Sequence, residues 1–221
     1  MLKVHHLERS RSHRVLWLLE ELGLPYEVVH YSRDPKTLLA PPELAQVHPL
    51  GKSPVLTDGD ATIAESAAIL EYLVERHGGG RFTPPPGTPE ALRYRYFLHY
   101  AEGSLMPPLL VALIAQRIRK APVPFFLKPV TGRIGGTLEQ QLVRPNLTRH
   151  VGFLEAELAR SPWFAGEAFS VADIQMSYPV EALLSRGDTT RMVRLKDFLA
   201  RIRERPAYQR AVERGGPTFL E

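Results

Sequence analysis

The sequence contains no cysteine among its 221 residues. This absence excludes disulfide bonds, cysteine-based metal sites and a thiol nucleophile supplied by the chain itself. If the protein does thiol chemistry, the sulfur atom has to arrive with a substrate. We expect no bound metal.

Long apolar runs are also missing. The longest, Leu109 to Ala115, is far too short to span a bilayer. The N-terminal segment MLKVHHLERSRSHR lacks the cleavage site and the apolar core of about 7–15 residues that are typical of a signal peptide. We therefore expect a soluble, cytoplasmic protein that does not associate with membranes.

Blocks of like charge, which are typical of nucleic-acid-binding arms, do not occur either. Lys and Arg number 28 against 24 Asp and Glu, so the net charge of +4 is a mild excess. The hydrophobic share of 44% is that of an ordinary globular protein. Such mild basicity suits small anionic ligands at least as well as DNA, and we expect no nucleic-acid partner.

What the first eighty residues do contain is an alternation of strand and helix patterns. Apolar positions recur at helical spacing before Gly23, a residue typical of a helix C-terminus, and Asp58-Gly59 is a hairpin turn sequence. The order is β-α-β, a loop, then β-β-α, which predicts a small α/β sandwich with a mixed sheet. The predicted elements are strand Leu2–Leu7, helix Ser12–Leu22, strand Tyr26–Tyr31, hairpin strands Val55–Thr57 and Ala61–Ala64, and helix Glu65–Gly78.

A segment rich in glycine and proline, Gly78 to Glu90, reads as a linker, and beyond it strand patterns vanish. Pro107 and Pro108 should kink the first long helix. The segment 120–132 is a candidate lid loop, and Ser170 with Asp173 has the spacing of a helix-capping box. The predicted helices are Glu90–Gln116, Leu138–Ala159, Ser170–Leu184, Val193–Arg203 and Ala207–Val212.

Three short segments carry candidate binding chemistry. In the first, Ser10, Arg11 and Ser12 lie between the first strand and the first helix, where the positive helix end favours anions. Ser12 alone is best interpreted as a helix N-cap, but the two serines beside Arg11 favour an anion site.

In the second segment, HPLGKSPVL, Pro54 opens a strand, a position that costs no ladder hydrogen bond. If the Ser53–Pro54 bond is cis, the Ser53 backbone is exposed for pairing with an extended ligand. Otherwise the segment is an ordinary entry into a strand.

In the third segment, Glu65 and Ser66 open a helix directly after a strand. Ser66 is suited to cap the helix or to receive a ligand carboxylate, and Glu65 to hold an ammonium group. Taken singly, capping is the better interpretation. Together, the three segments suit a small peptide that bears a thiol.

The segments RSRSHRVLWLLEELGLPYE, HPLGKSPVL, AESAAILEYL and FAGEAFSVADI resemble, in order and spacing, the cytosolic glutathione S-transferases. The likeness is greatest to serine-type fungal and bacterial members, and it covers nearly the whole chain. It implies a thioredoxin-like N-terminal domain that binds glutathione as co-substrate, over residues 1–79. It further implies a linker over 80–89, an all-α electrophile-binding domain over 90–221, and a homodimer.

The resemblance also implies roles for individual residues. Ser10, with Ser12 as the alternate, falls where serine-type members keep the hydroxyl that activates the glutathione sulfur. Ser53, a position that is commonly aliphatic, precedes the family's cis-proline, here Pro54. The remaining implied glutathione contacts are Arg11, Lys52, Glu65 and Ser66, and the implied electrophile contacts are Tyr100 and Leu105.

The function that follows is detoxifying conjugation of glutathione, as the thiolate, to hydrophobic electrophiles. Glutathione-dependent reduction of peroxides or disulfides would use the same thiolate, and the sequence does not separate these activities. A non-catalytic binding or assembly module is the alternative of another class. Such a module is expected to lose glutathione contacts.

Overall fold

The computed structural model describes residues 1–185 and 189–218, and its N-terminal part is the predicted α/β sandwich. The sheet order is β2-β1-β3-β4, with β1 parallel to β2 and antiparallel to β3. His6 pairs with His30 in the register of β1 and β2. The elements are β1 (Leu2–Leu7), α1 (His13–Leu22), β2 (Tyr26–Tyr31), α2 (Glu43–Val47), β3 (Val55–Asp58), β4 (Ala61–Ala64) and α3 (Ser66–His77).

Helix α1 is buried on almost every face, because it lies between the sheet and the helical half of the molecule. Trp17 and its aliphatic neighbours are fully buried, and Trp17 packs edge-on against Tyr208 with ring centroids 5.1 Å apart. Gly23 ends the helix in the left-handed conformation at φ +69, as predicted. The short helix α2 was not predicted, since five residues after two prolines give no periodic signal.

The helical half follows the linker. Its elements are α4 (Pro89–Tyr100), a π-helical turn (Ala101–Leu105), α5 (Met106–Arg119), a 3₁₀ turn (Phe125–Leu127), α6 (Lys128–Leu138), a second π-helical turn (Glu139–Val143), α7 (Arg144–Arg160), α8 (Val171–Leu184), α9 (Val193–Arg203) and α10 (Pro206–Gly215).

Two predictions for this half are corrected by the structure. The lid prediction over 120–132 is wrong for most of its length, because the 3₁₀ turn and α6 occupy the chain from Phe125 onward. Helix α6 was not predicted, because its three glycines have low helix propensity. One of them is required by packing, since a Cβ at Gly135 would lie 2.7 Å from the Ala115 carbonyl oxygen of α5.

The long first helix is interrupted just before its prolines. The Met106 N–H donates to the Ala101 carbonyl, which is an i to i+5 bond, and Pro107 and Pro108 follow without N–H groups. The run 89–119 is long and apolar enough to cross a bilayer by length and composition. In the structure it packs within the helical half and carries the ion-paired Glu102.

The predicted capping box at the start of α8 is present. The Ser170 N–H donates to Asp173 Oδ2 at 2.8 Å, and the Phe164 N–H donates to Oδ1 at 2.8 Å. Asp173 is fully buried, and this burial raises its pKa from 3.8 to about 6 even though the hydrogen bonds lower it.

Because its pKa is higher in the folded state than in the unfolded chain, protonated Asp173 stabilises the fold more than ionised Asp173 does. Its contribution is fully present below about pH 4 and is lost as the pH rises through about 6. We expect the free energy of unfolding of the wild type, minus that of Asp173→Asn, to fall over this window by up to about 3 kcal/mol. Urea unfolding at a series of pH values measures the difference.

Asp197→Asn, at an exposed aspartate of α9, is the matched control for the substitution itself. If the free energy of unfolding of the wild type, minus that of Asp173→Asn, does not change between pH 4 and 6, the raised pKa of Asp173 is contradicted.

Candidate functional site

A cleft opens where the β1–α1 loop and the loop before β3 meet α8. It consists of a cavity of about 450 Å³ and an adjoining small cavity of about 30 Å³. The two share four lining residues: Arg11, Leu50, Lys52 and Ser53. The larger cavity is also lined by Ser10 and Tyr178, and the smaller one by Pro54, Glu65 and Ser66. The three predicted segments therefore come together in one place.

The two serines of the first segment occupy different positions. Ser10 lines the larger cavity, whereas Ser12 is fully buried behind it, with the two Oγ atoms 2.7 Å apart. Ser12 has the backbone position of an N-cap, but its side chain makes no capping bond. It contacts His6 Nδ1 at 2.9 Å instead. The N-cap interpretation of Ser12 is therefore confirmed for its position in the chain and wrong for its side chain.

Glu102 holds the two arginines of the β1–α1 region. Its Oε2 lies 2.6 Å from Arg11 Nη1, and its Oε1 lies 2.6 Å from Arg14 Nη1. Arg14 is buried, and it also donates to Gln175 Oε1 of α8 at 3.0 Å. Burial of Glu102 opposes its ionisation, but Arg14 and Arg11 outweigh that effect and lower its pKa. The π-helical turn thus delivers a carboxylate to the edge of the cleft.

The second segment enters β3 through a cis Ser53–Pro54 peptide bond. The Ser53 hydroxyl donates to the His5 carbonyl at 2.8 Å and accepts the Leu7 N–H at 3.1 Å. These two bonds fasten the loop to β1, beside the serines of the first segment. A hydroxyl at a position that is commonly aliphatic therefore has a structural use that the sequence did not reveal.

The third segment carries the backbone outlier of the site. Glu65 has φ +72 and ψ 125, a region that side-chain-bearing residues rarely adopt. Ser66 is buried and begins α3 as its first helical residue, so it is not the cap. This backbone turn places both residues on the wall of the smaller cavity.

Cationic side chains dominate the charge of the larger cavity, which Arg11, Arg33 and Lys52 line. Arg33 and Tyr178 were not predicted. Tyr178 comes from α8, more than 160 residues after the serines, and its ring lies over the Arg14 guanidinium at 5.2 Å. Only the fold brings it there, so no local pattern could have signalled it.

The two predicted electrophile contacts lie elsewhere. Leu105 is fully buried in the core, and Tyr100 lines a separate cavity of about 440 Å³ on α4 together with Leu92 and Tyr96. Leu105 ends the π-helical turn, and this turn, which spacing along one helix did not anticipate, changes the face that Leu105 occupies. Within residues 1–185 and 189–218, no group of three His, Asp or Glu side chains is placed to hold a metal ion.

Comparison with known proteins gives one family. Residues 1–75 match the family model described as glutathione S-transferase, N-terminal domain, and residues 120–206 match that of the C-terminal domain. Glutathione S-transferase 3 of Schizosaccharomyces pombe is 32% identical and covers 97% of this chain and 88% of its own. Glutathione S-transferase 1 of Saccharomyces cerevisiae is 33% identical, and the match covers 84% of this chain and 82% of that protein.

Solved structures agree with these relatives. A glutathione S-transferase from Actinobacillus pleuropneumoniae superposes with a TM-score of 0.80 at 32% identity, covering 99% of this chain and 94% of its own. Glutathione transferase URE2P6 from Phanerochaete chrysosporium, solved in complex with oxidized glutathione, superposes with a TM-score of 0.75 at 24% identity. That match covers 97% of this chain and 96% of the other, and it shows the common fold.

The ion pairs of Glu102 predict a large loss of stability when its charge is removed. In Glu102→Gln the buried Arg14 loses its counter-charge, and we expect the free energy of unfolding to fall by about 3 kcal/mol. The exposed pair of Lys3 and Glu27 is the control, because Glu27→Gln should cost less than about 1 kcal/mol. Urea unfolding of both variants at neutral pH tests this, and equal losses would contradict it.

Proposed function

Because the chain belongs to the glutathione S-transferase family, we propose that it ionises the thiol of bound glutathione and transfers the thiolate to hydrophobic electrophiles. The observation that carries this proposal is the position of Ser10. Its hydroxyl lies on the wall of a cationic cavity in a chain that has no cysteine of its own. The sulfur atom of bound glutathione then lies beside the Ser10 hydroxyl and the N-terminus of α1.

The energetic demand is modest. A free thiol has a pKa near 8.5, so only a few per cent is thiolate at neutral pH. Lowering that pKa by about two units requires roughly 2.7 kcal/mol of preferential stabilisation. A charge-assisted hydrogen bond from a hydroxyl supplies roughly 1.5–3 kcal/mol, and the positive end of α1 adds to it.

The proposed glutathione contacts follow the cleft. The Ser53 backbone, presented by the cis bond to Pro54, pairs with the cysteinyl part, and Lys52 holds the glycyl carboxylate. Glu65 and Ser66 hold the γ-glutamyl group in the smaller cavity, with Arg11 beside them. These contacts are supported by the fact that all six residues line two cavities that share a wall.

Ser10 is the proposed thiol activator, and Ser12 has a supporting role. Only Ser10 lines the cavity, while Ser12 is sealed from solvent behind it. A buried hydroxyl reaches a ligand only through its neighbour, and the 2.7 Å contact between the two Oγ atoms supplies that route.

The wider assignment follows family membership. Residues 1–79 form the proposed glutathione-binding domain, 80–89 the linker and 90–221 the electrophile-binding domain. The protein is proposed to act in detoxification, as a cytoplasmic homodimer. The homodimer is supported by the apolar cavity on α4, where Leu92 and Tyr96 are exposed.

Titration of glutathione into the wild type, Ser10→Ala and Ser12→Ala across pH, followed by thiolate absorbance, tests the mechanism. Removing the donor at Ser10 should raise the pKa of the bound thiol by about one to two units and lower turnover accordingly. Binding of S-methylglutathione, which has no thiol proton, should stay within about threefold of wild type and shows that the site is intact.

Loss of the thiolate only in Ser12→Ala would transfer the role to Ser12. A wild type that does not bind glutathione would refute the transferase and favour a binding module. Turnover of cumene hydroperoxide against an aryl halide by the wild type separates peroxidase from conjugating activity.

A further inference from the structure

A continuous line of hydrogen bonds runs inward from the cavity wall. Ser10 Oγ contacts Ser12 Oγ at 2.7 Å, Ser12 Oγ contacts His6 Nδ1 at 2.9 Å, and His6 Nε2 contacts the Gly215 carbonyl oxygen at 2.8 Å. Ser12 is fully buried and His6 is 2% exposed. This line of hydrogen bonds connects the cavity wall at Ser10 to the end of α10.

The Gly215 carbonyl fixes the direction of this line. A carbonyl oxygen only accepts, so His6 Nε2 carries the hydrogen, and in the neutral ring Nδ1 is then an acceptor. Ser12 has two acceptors in reach, His6 Nδ1 at 2.9 Å and the Leu7 carbonyl oxygen at 3.4 Å, and it donates its single hydroxyl hydrogen to the nearer one, Nδ1. It has none left for Ser10, so Ser10 is the donor of the 2.7 Å bond between the two serines.

This direction has a chemical consequence at the cavity. The Ser10 hydrogen points inward, and a lone pair of its oxygen is available to the ligand. Such an oxygen suits a thiol, which donates its S–H. It does not suit a thiolate, which needs a donor. If the sulfur is to be held as an anion while the 2.7 Å bond between the two serines is kept, the line of bonds has to reverse.

We propose that His6 is the terminal proton acceptor for the glutathione thiol and acts through Ser12 and Ser10. This inference rests on the proposed function. His6 touches no substrate atom, so it is a positioning residue in the sense that it sets the direction of the hydroxyl hydrogens.

The transfer balances. The S–H bond breaks as its proton bonds to Ser10 Oγ; the former Ser10 hydrogen moves to Ser12 Oγ, and the former Ser12 hydrogen moves to His6 Nδ1. No atom is oxidised or reduced. Afterwards the imidazolium donates to Ser12, Ser12 donates to Ser10, and Ser10 donates to the thiolate, while Nε2 still donates to Gly215.

The surroundings of His6 keep its ring neutral before glutathione binds. Burial lowers its pKa, the Gly215 hydrogen bond raises it, His30 of β2 lowers it and Glu8 raises it. His13 of α1 is also a neighbour, and burial lowers its own pKa to about 3, so it adds no charge near neutral pH. The negative thiolate is then the charge that favours the imidazolium.

Packing at the end of α10 holds the ring in place. A Cβ at Gly215 would lie 2.6 Å from Leu16 Cδ1 and 3.1 Å from His6 Cε1, so a side chain at this position would press on the ring and shift it. Gly215→Ala should therefore disturb the line of bonds without altering any ionisable group.

The decisive measurement is the number of protons released when the wild type binds glutathione at neutral pH. Titration calorimetry in buffers of different ionisation enthalpy counts them, thiolate absorbance follows the sulfur, and S-methylglutathione is the blank. If His6 takes the proton, thiolate should form with release of about zero protons per site. Release of about one proton per thiolate would overturn the proposal.

His6→Gln tests the same point, because an amide can replace both hydrogen bonds of the ring but cannot take up a proton. We expect its bound thiol to ionise about one unit higher or more, with release of about one proton. The control His5→Gln changes the neighbouring histidine of β1, which bonds Tyr31 instead, and should leave the titration unchanged.

An His6→Gln titration that matches the wild type would overturn the role of His6 and leave the transferase intact. A wild type that ionises no bound glutathione would overturn both. If His6→Gln does not bind S-methylglutathione, that variant does not test the role of His6. The number of protons released by the wild type and the thiolate absorbance of Gly215→Ala then test it. Gly215→Ala should then lose thiolate at neutral pH.

Discussion

The carboxylate of Glu102 joins the two halves of the molecule at the point where they enclose the cleft. It holds Arg11 at the cavity wall and Arg14 inside the protein, and Arg14 reaches on to Gln175 of α8. A buried guanidinium without such a partner would be strongly destabilising, so the packing of α1 against the helical half depends on this contact. The π-helical turn is the local cost of bringing the carboxylate there.

A second layer of polar side chains lies behind the residues that line the cleft. Ser53 fastens the cis-proline loop to β1 by two hydrogen bonds, and Ser12 connects the cavity serine to a buried histidine. Sequence reasoning gave the Ser53 side chain no role, since only its backbone was predicted to meet a ligand, and it assigned Ser12 to a helix cap or, as the alternate to Ser10, to the ligand surface. In the structure they lie one layer further in, where they hydrogen-bond the groups that line the cleft.

The sequence predicted most of the α/β half, because period-2 and period-3.6 patterns and the turns at Gly23 and Asp58-Gly59 are local signals. It also located the cleft, since three short segments at element ends carried suitable chemistry. It missed α6, whose glycines are explained only by contact with α5, and it missed Tyr178 and Glu102 as partners of the site. Those depend on which distant elements meet, and no spacing along the chain encodes that.

The π-helical turn at Ala101–Leu105 also bears on how the molecule can vary. It takes in one residue more per hydrogen-bonded ring than an α-helix does, so everything after it is rotated by about 100° relative to an uninterrupted helix. Loss of one residue from this turn would bring α5 back into register with α4 and so turn it to a new face. The length of this one turn therefore sets both the face that α5 presents and the place where the Glu102 carboxylate meets Arg11 and Arg14.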